Sequence, residues 1–147
     1  MSYKIRKPSV TDTSQLFHLI RDHAAFEKSA ATLSESDLAR LQSEGQAVRF
    51  LVAAEGKDLL GYAAVTFDWS VWRARRYAHL DCLFVAQRHR GRGVGKALLE
   101  RAREDAGVEG IDRIEWQTPT WNQGAVRFYV REGATFQTKF RFSISVS

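Results

Sequence analysis

Three glycines at alternate positions, Gly91, Gly93 and Gly95, lie among Arg88, Arg90, Arg92 and Lys96 in the stretch QRHRGRGVGKALL. Glycine weakens strands and helices, so this density asks for unusual dihedrals or for close approach of something to the main chain. The flanking cations suggest that this something is an anion. The run follows an apolar segment, AHLDCLFVA, and leads into KALLERAREDAG, which has helical composition. A strand, a glycine-rich turn and a helix make an anion site, because the unpaired amides at the helix start point outward and the dipole favours negative charge there. Two phosphate loops fail on spacing. The nucleotide P-loop needs GxxxxGK[ST], but Gly91 to Gly95 is one residue short and Ala97 stands in place of the magnesium-binding hydroxyl. The dinucleotide fingerprint GxGxxG needs a glycine where Lys96 stands. A second signal is Asp81, a carboxylate among Leu80, Cys82, Leu83, Phe84 and Val85. Such a group is expensive in a strand unless a function or a salt bridge, here to Arg75, Arg76 or Lys139, recovers the cost.

The elements that must position these groups follow from periodicity. YKIRKPS reads as a first strand ended by Pro8. Thr11, Asp12 or Ser14 offers a cap for a helix with Leu16, Leu19, Ile20 and His23 on one face. Ser34 with Asp37 caps a second helix that Gly45 stops. VRFLVAAE and LLGYAAVTFDW, joined by GKD, form a hairpin, and AHLDCLFVA is the next strand. After the glycine loop come the helix from Lys96, a strand RIEWQT, a helix NQGAVRFYVREG closed by Gly133, and a half-buried alternating strand KFRFSISV. The expected order is βααβββαβαβ in one domain spanning 1–147.

The R-x-x-G-x-G pattern at Arg90, Gly93 and Gly95 resembles the pyrophosphate loop of the GCN5-related N-acetyltransferases (GNAT), which hold acetyl-coenzyme A. The likeness covers nearly the whole chain and is greatest to the diamine (spermidine/spermine) and thialysine acetyltransferases. It rests on AFE, LSESDL, VW, LDCLFV, RGRGVG, TWNQGAVRFY and REGA. The resemblance implies an α/β (α+β) fold, with a mixed, mostly antiparallel twisted sheet, a central strand-helix-strand cofactor site and helices on both faces. It implies that the Arg90, Gly91, Arg92, Gly93, Val94, Gly95 and Lys96 segment holds the pyrophosphate. Leu83, Phe84 and Val85 would line the acetyl-pantetheine arm as an added strand does, and Asn122, Gln123, Gly124 and Ala125 would hold its far side. Tyr129, seven residues after Asn122 and so on the same helix face, matches the family's general acid for the leaving thiolate. Asp81 stands where the polyamine enzymes carry a glutamate that attracts the amine and takes its proton, here through water. Phe26, Glu27, Asp81, Glu115, Trp116 and Gln117 match the acceptor side. Cys82 replaces a second acidic residue, which puts a polyamine acceptor in doubt; an acyl-cysteine route competes with a small buried apolar role. Trp69, Trp72, Trp116 and Trp121 could wall the acceptor site, pack in a core or meet a second subunit.

The remaining totals bound the reading. With 147 residues, 44% hydrophobic and 27% charged, the chain is of globular rather than disordered composition. One cysteine fits a reducing compartment, and the lack of an apolar leader or span leads to the expectation of a cytoplasmic protein without membrane contact. His79 and His89 have no second histidine or cysteine at ligand spacing, so no metal is expected. The expected activity is acetyl transfer from acetyl-coenzyme A directly to a primary amine of a small molecule: a polyamine, a lysine- or thialysine-like amino acid, or an amino sugar. A protein lysine or N-terminus is the alternative acceptor, and the resemblance implies a homodimer. Rival readings are a coenzyme A sensor and a nucleic-acid module built on the arginines, but the latter explains the net charge of +5 and not the glycines.

Overall fold

The computed structural model describes residues 2–147. It divides into two compact units, one running to Gln117 and the other from Thr118 to Ser147. The first contains β1 (Lys4–Arg6), α1 (Thr13–Phe26), α2 (Glu35–Ser43), β2 (Val48–Glu55), β3 (Asp58–Ser70), β4 (Arg75–Val85), α3 (Val94–Val108) and β5 (Ile114–Glu115); the second contains α4 (Gln123–Arg131). The five strands form one sheet in the order β1-β2-β3-β4-β5, antiparallel except for the β4–β5 pair. That parallel pair is joined through α3, the crossover a parallel connection requires. The mixed, mostly antiparallel α/β sheet expected from the sequence is therefore present.

β2 reads as a continuous apolar run because it is covered on both faces. Phe50, Val52 and Ala54 join Leu16 and Leu19 of α1 and Leu38 of α2 in one core, with Tyr62 and Phe84. The opposite face meets α3, which packs on β2, β3 and β4 and buries Leu98, Leu99, Ala102 and Ala106. Ser34 caps α2 as its sequence announced: its hydroxyl accepts from the Asp37 amide at 3.0 Å while the Asp37 carboxylate accepts from the Ser34 amide at 2.8 Å. Asp12 occupies the cap position of α1 but makes no side-chain cap there. It turns instead to Arg6 at 2.6 Å and to the Ser9 amide at 2.7 Å, tying β1 to the start of α1.

Two strands depart from expectation. RIEWQT yields only Ile114–Glu115. KFRFSISV is not a strand: residues 135–147 carry no regular secondary structure, and Phe140, Phe142, Ile144 and Val146 are 89% to 98% exposed. Alternation supplies a face but not a partner, and a strand exists only where its amides and carbonyls find a neighbouring ladder. Among the described residues none pairs with it.

Two substitutions test this frame. The Arg6 hydrogen bond, opposed by burial and helped by Ser9, holds the Asp12 carboxyl below its ordinary range. A depressed folded pKa contributes stability above the unfolded value near 3.9, lost as pH falls through the folded one. Asp12→Asn should therefore destabilise by about 1–3 kcal/mol at neutral pH and progressively less below roughly pH 4, as read by urea melts. At Gly61 a Cβ would lie 2.6 Å from the Phe84 carbonyl oxygen of β4. Gly61→Ala should cost about 2 kcal/mol by forcing β3 and β4 apart, seen as a fall in Tm of several degrees.

Candidate functional site

The glycine loop begins where β4 ends. A short 3-10 turn, Gln87–His89, leads to Gly91 at φ 82° and Gly93 at φ 77°, which is the N-cap of α3. These two positions need glycine for their left-handed backbone. Gly95 has no such dihedral and lies inside the first turn, where a missing side chain leaves the amides open. The first intrahelical bond is from the Ala97 amide to the Gly93 carbonyl at 3.0 Å, so the amides of Val94, Gly95 and Lys96 have no helical acceptor. No side chain caps this end and no acid lies in its first turn, whereas α2 places Glu35 and Asp37 in its own. The helix thus leaves its positive pole free for an anion, and the loop fits a pyrophosphate.

The two arginines of the loop make contacts within the protein. Arg92 pairs with Glu55 at 2.8 Å and lies over the Tyr3 ring, while the Tyr3 hydroxyl donates to the Arg92 carbonyl at 3.4 Å. Arg90 donates from Nε to the Val85 carbonyl at 2.9 Å and stacks over Phe26 and Phe84, 4.9 and 5.4 Å from the ring centres. Both brace the backbone whose amides face outward.

β4 itself carries an irregularity that the sequence did not reveal. Leu80 pairs with Val65 and Cys82 with Ala64, so Asp81 is an extra residue without a partner. Such a bulge re-aims side chains. Asp81 is 58% exposed at its side chain, 3.8 Å from His79 Nδ1 and 3.6 Å from Cys82 Sγ. Two of the three salt-bridge candidates are engaged elsewhere: Arg75 pairs with Asp112, and Arg76 lies over Phe67. β5 pairs with β4 only at Ala78 and His79, which brings Glu115 alongside His79. Beyond His79 no described strand covers that edge of β4, where Leu83, Phe84 and Val85 run. Glu115 pairs with Arg113 at 3.3 Å, Trp116 is half-buried and Gln117 exposed.

Glu27, at the C-terminal end of α1, belongs to a polar chain that spacing alone hid. Its Oε2 is 3.0 Å from His23 Nε2, and His23 Nδ1 is 2.7 Å from the Tyr62 hydroxyl. The Tyr62 hydroxyl in turn meets the Cys82 thiol, which meets Asp81. Thus Glu27 and Asp81 stand at two ends of one side-chain sequence, with Phe26 and Phe84 beside it. Two signals could have exposed the missed members: a histidine on the apolar stripe of α1, four residues before an acid, and a tyrosine hydroxyl inside the run LLGYAAV. Trp69 and Trp72, 63% and 100% exposed on the β3–β4 hairpin, do not pack in the core.

In the second unit, the Asn122 side chain caps α4 by accepting from the Ala125 amide at 3.2 Å. Gln123 Nε2 donates to the Thr120 carbonyl at 3.1 Å, and Gly124 has open space around its Cα apart from the Asn122 amide oxygen at 3.9 Å. Tyr129 is half-buried, its ring 5.2 Å from that of Phe128.

Burial is the main cause pushing the Cys82 thiol up to about 12. It is a neutral thiol near pH 7, and the acyl-cysteine route loses its nucleophile. Iodoacetamide should alkylate this single cysteine at pH 8 at least roughly a hundredfold more slowly in the native than in the urea-unfolded protein.

The chain is 28% identical over 116 residues to a thialysine N-epsilon-acetyltransferase of Caenorhabditis elegans, covering 78% of this chain and 72% of that protein. It is 28% identical over 144 residues to the Mus musculus thialysine N-epsilon-acetyltransferase, covering 90% and 84%. A solved structure from Bacillus halodurans C-125, described as a transcriptional regulator, shares the fold with a TM-score of 0.81 at 23% identity, over 96% of this chain and 100% of that one. The model of the acetyltransferase (GNAT) family matches residues 14–134. The chain belongs to the GNAT family as an acetyl-coenzyme A-dependent N-acetyltransferase.

Proposed function

We propose that the protein transfers the acetyl group of acetyl-coenzyme A directly to a primary amine of a small molecule: a polyamine, a lysine- or thialysine-like amino acid, or an amino sugar. One observation carries this reading. Among the described ion pairs, arginines hold Asp12, Asp37, Glu55, Asp105, Glu109, Asp112 and Glu115. Asp81 and Glu27 have histidines as their ion-pair neighbours instead. In a chain of net charge +5, these carboxylates keep a local negative field that draws an ammonium group.

Acetyl-coenzyme A supplies an activated thioester. The amides from Gly91 to Lys96 hold the pyrophosphate, the open edge at Leu83, Phe84 and Val85 takes the pantetheine arm as an added strand, and Asn122 to Ala125 hold its other side. Asp81 binds the acceptor's ammonium and, one methylene shorter than glutamate, removes its proton through water. Phe26, Glu27, Glu115, Trp116 and Gln117 form the acceptor side. The Tyr129 phenol holds the proton that the departing sulfur takes up. A cytoplasmic homodimer completes the reading, and the exposed apolar residues Phe140, Phe142, Ile144 and Val146 support self-association.

The test is free-thiol release from acetyl-coenzyme A across diamines, lysine analogues, amino sugars and lysine peptides. We expect a clear preference for one small amine, with kcat/KM lowered about a hundredfold by Asp81→Asn and kcat lowered about a hundredfold by Tyr129→Phe. A preference for peptides would move the acceptor to protein. An unaltered rate in Tyr129→Phe would remove that phenol from the chemistry.

A further inference from the structure

We propose that Tyr62 and His23 are positioning residues for acceptor recognition: the Tyr62 hydroxyl donates to His23 Nδ1, which fixes the His23 proton on Nε2, and that N–H holds the Glu27 carboxylate toward the acceptor. The inference rests on the reading of Glu27 as an acceptor-side residue and adds to it the device that orients it.

The geometry leaves little choice of roles. An ionised carboxylate only accepts, so the ring nitrogen 3.0 Å from Glu27 Oε2 is the donor. A neutral imidazole has one N–H, and its other nitrogen, 2.7 Å from the Tyr62 oxygen, is then an acceptor. Tyr62 can fill the donor role throughout the neutral range, since its 1% exposure pushes the phenol far above its ordinary value. The ring is held flat against Phe84, 5.0 Å between centres and 18° apart. His23 is 13% exposed and Glu27 35%, so a buried ring anchors a carboxylate that reaches solvent. The arrangement is that of a hydroxyl, imidazole and carboxylate in series, with the imidazole tautomer set by its outer partner.

Packing alone does not call for this chain. Leu59, Leu60, Ala63, Ala64 and Val65 around Tyr62 are apolar and buried, and an imidazole and a phenol in such surroundings cost stability unless paired. Their pairing ends at an exposed acid rather than closing within the core. The charged and titratable groups around His23 are Glu27 from α1, Tyr62 from β3, Cys82 and Asp81 from β4 beyond Tyr62, and Arg90, whose guanidinium covers Phe26 and Phe84. From α2, Leu38 and Leu41 enter this core without charge.

The test measures binding of 1,4-diaminobutane by calorimetry, with histidine tautomers followed by 15N NMR, in the wild type, His23→Gln and Tyr62→Phe. Its ammonium groups, like that of lysine, are charged at neutral pH. We expect the Kd of Tyr62→Phe to be about fivefold weaker than the wild-type value, and that of His23→Gln, whose side-chain amide keeps a donor for Glu27, to lie within about twofold of it. The wild-type His23 signal should read as the Nε2–H tautomer, and Tyr62→Phe, which preserves the ring, should lose that preference. An Nδ1–H tautomer in the wild type, a Tyr62→Phe protein that keeps the Nε2–H preference, or no diamine binding would overturn the proposal. Absent diamine binding with thiol release to other amines would leave acetyl transfer standing. The expected tautomers and affinities with no amine acetylated would sink acetyl transfer and keep the proposal.

Discussion

A strand that must send Leu80 and Cys82 to opposite faces of one sheet has to break its own ladder, and β4 does so at Asp81. With Leu80 and Cys82 opposite neighbouring residues of β3, Asp81 has no partner to align it. The extra residue turns its carboxylate outward while Cys82 stays packed against the core beside Tyr62. One residue further along, the regular alternation resumes and delivers Phe84 to the core and the chain to the glycine loop. Without the bulge, period-two alternation would put one of these groups on the wrong face.

Charge is distributed by the same economy. The chain is basic, but several of its described ion pairs consume arginines in joining elements: Arg6 ties β1 to α1, Arg49 of β2 pairs with Glu109 after α3, and Arg73 and Arg75 hold Asp112. Around the glycine loop, Arg90 and Arg92 bind protein groups and stiffen the backbone. The loop's own backbone is fixed by positive φ values at Gly91 and Gly93 that only glycine adopts without strain. Glu27 and Asp81 stand beside histidines instead.

The core is not uniformly apolar, and its polar exception runs toward the site. Tyr62 is the largest fully buried side chain among the described residues, and its hydroxyl pairs with His23 at 2.7 Å. A buried network of this kind narrows the arrangements that the core can take, because each alternative rotamer would strand a donor or an acceptor. Here that selectivity acts on α1, β3 and β4 at once, the three elements that carry Glu27, Gly61 and Asp81.

What the sequence determined by itself was local. The Ser34 capping box, the β2–β3 hairpin, the amphipathic face of α1 and the glycine turn before α3 depend on contacts within a few residues, and each was legible from spacing. The family likeness rested on the same short motifs. The tertiary structure decided what depends on partners distant in the chain. It withheld strand pairing from KFRFSISV, whose alternation had no ladder to join, and reduced RIEWQT to two residues. It drew Arg90 and Arg92 to Phe84 and Glu55, and it joined His23, Tyr62 and Cys82 across gaps of 39 and 20 positions into one polar chain. Periodicity tells which face a side chain takes; only the packed sheet tells which donor meets which acceptor there.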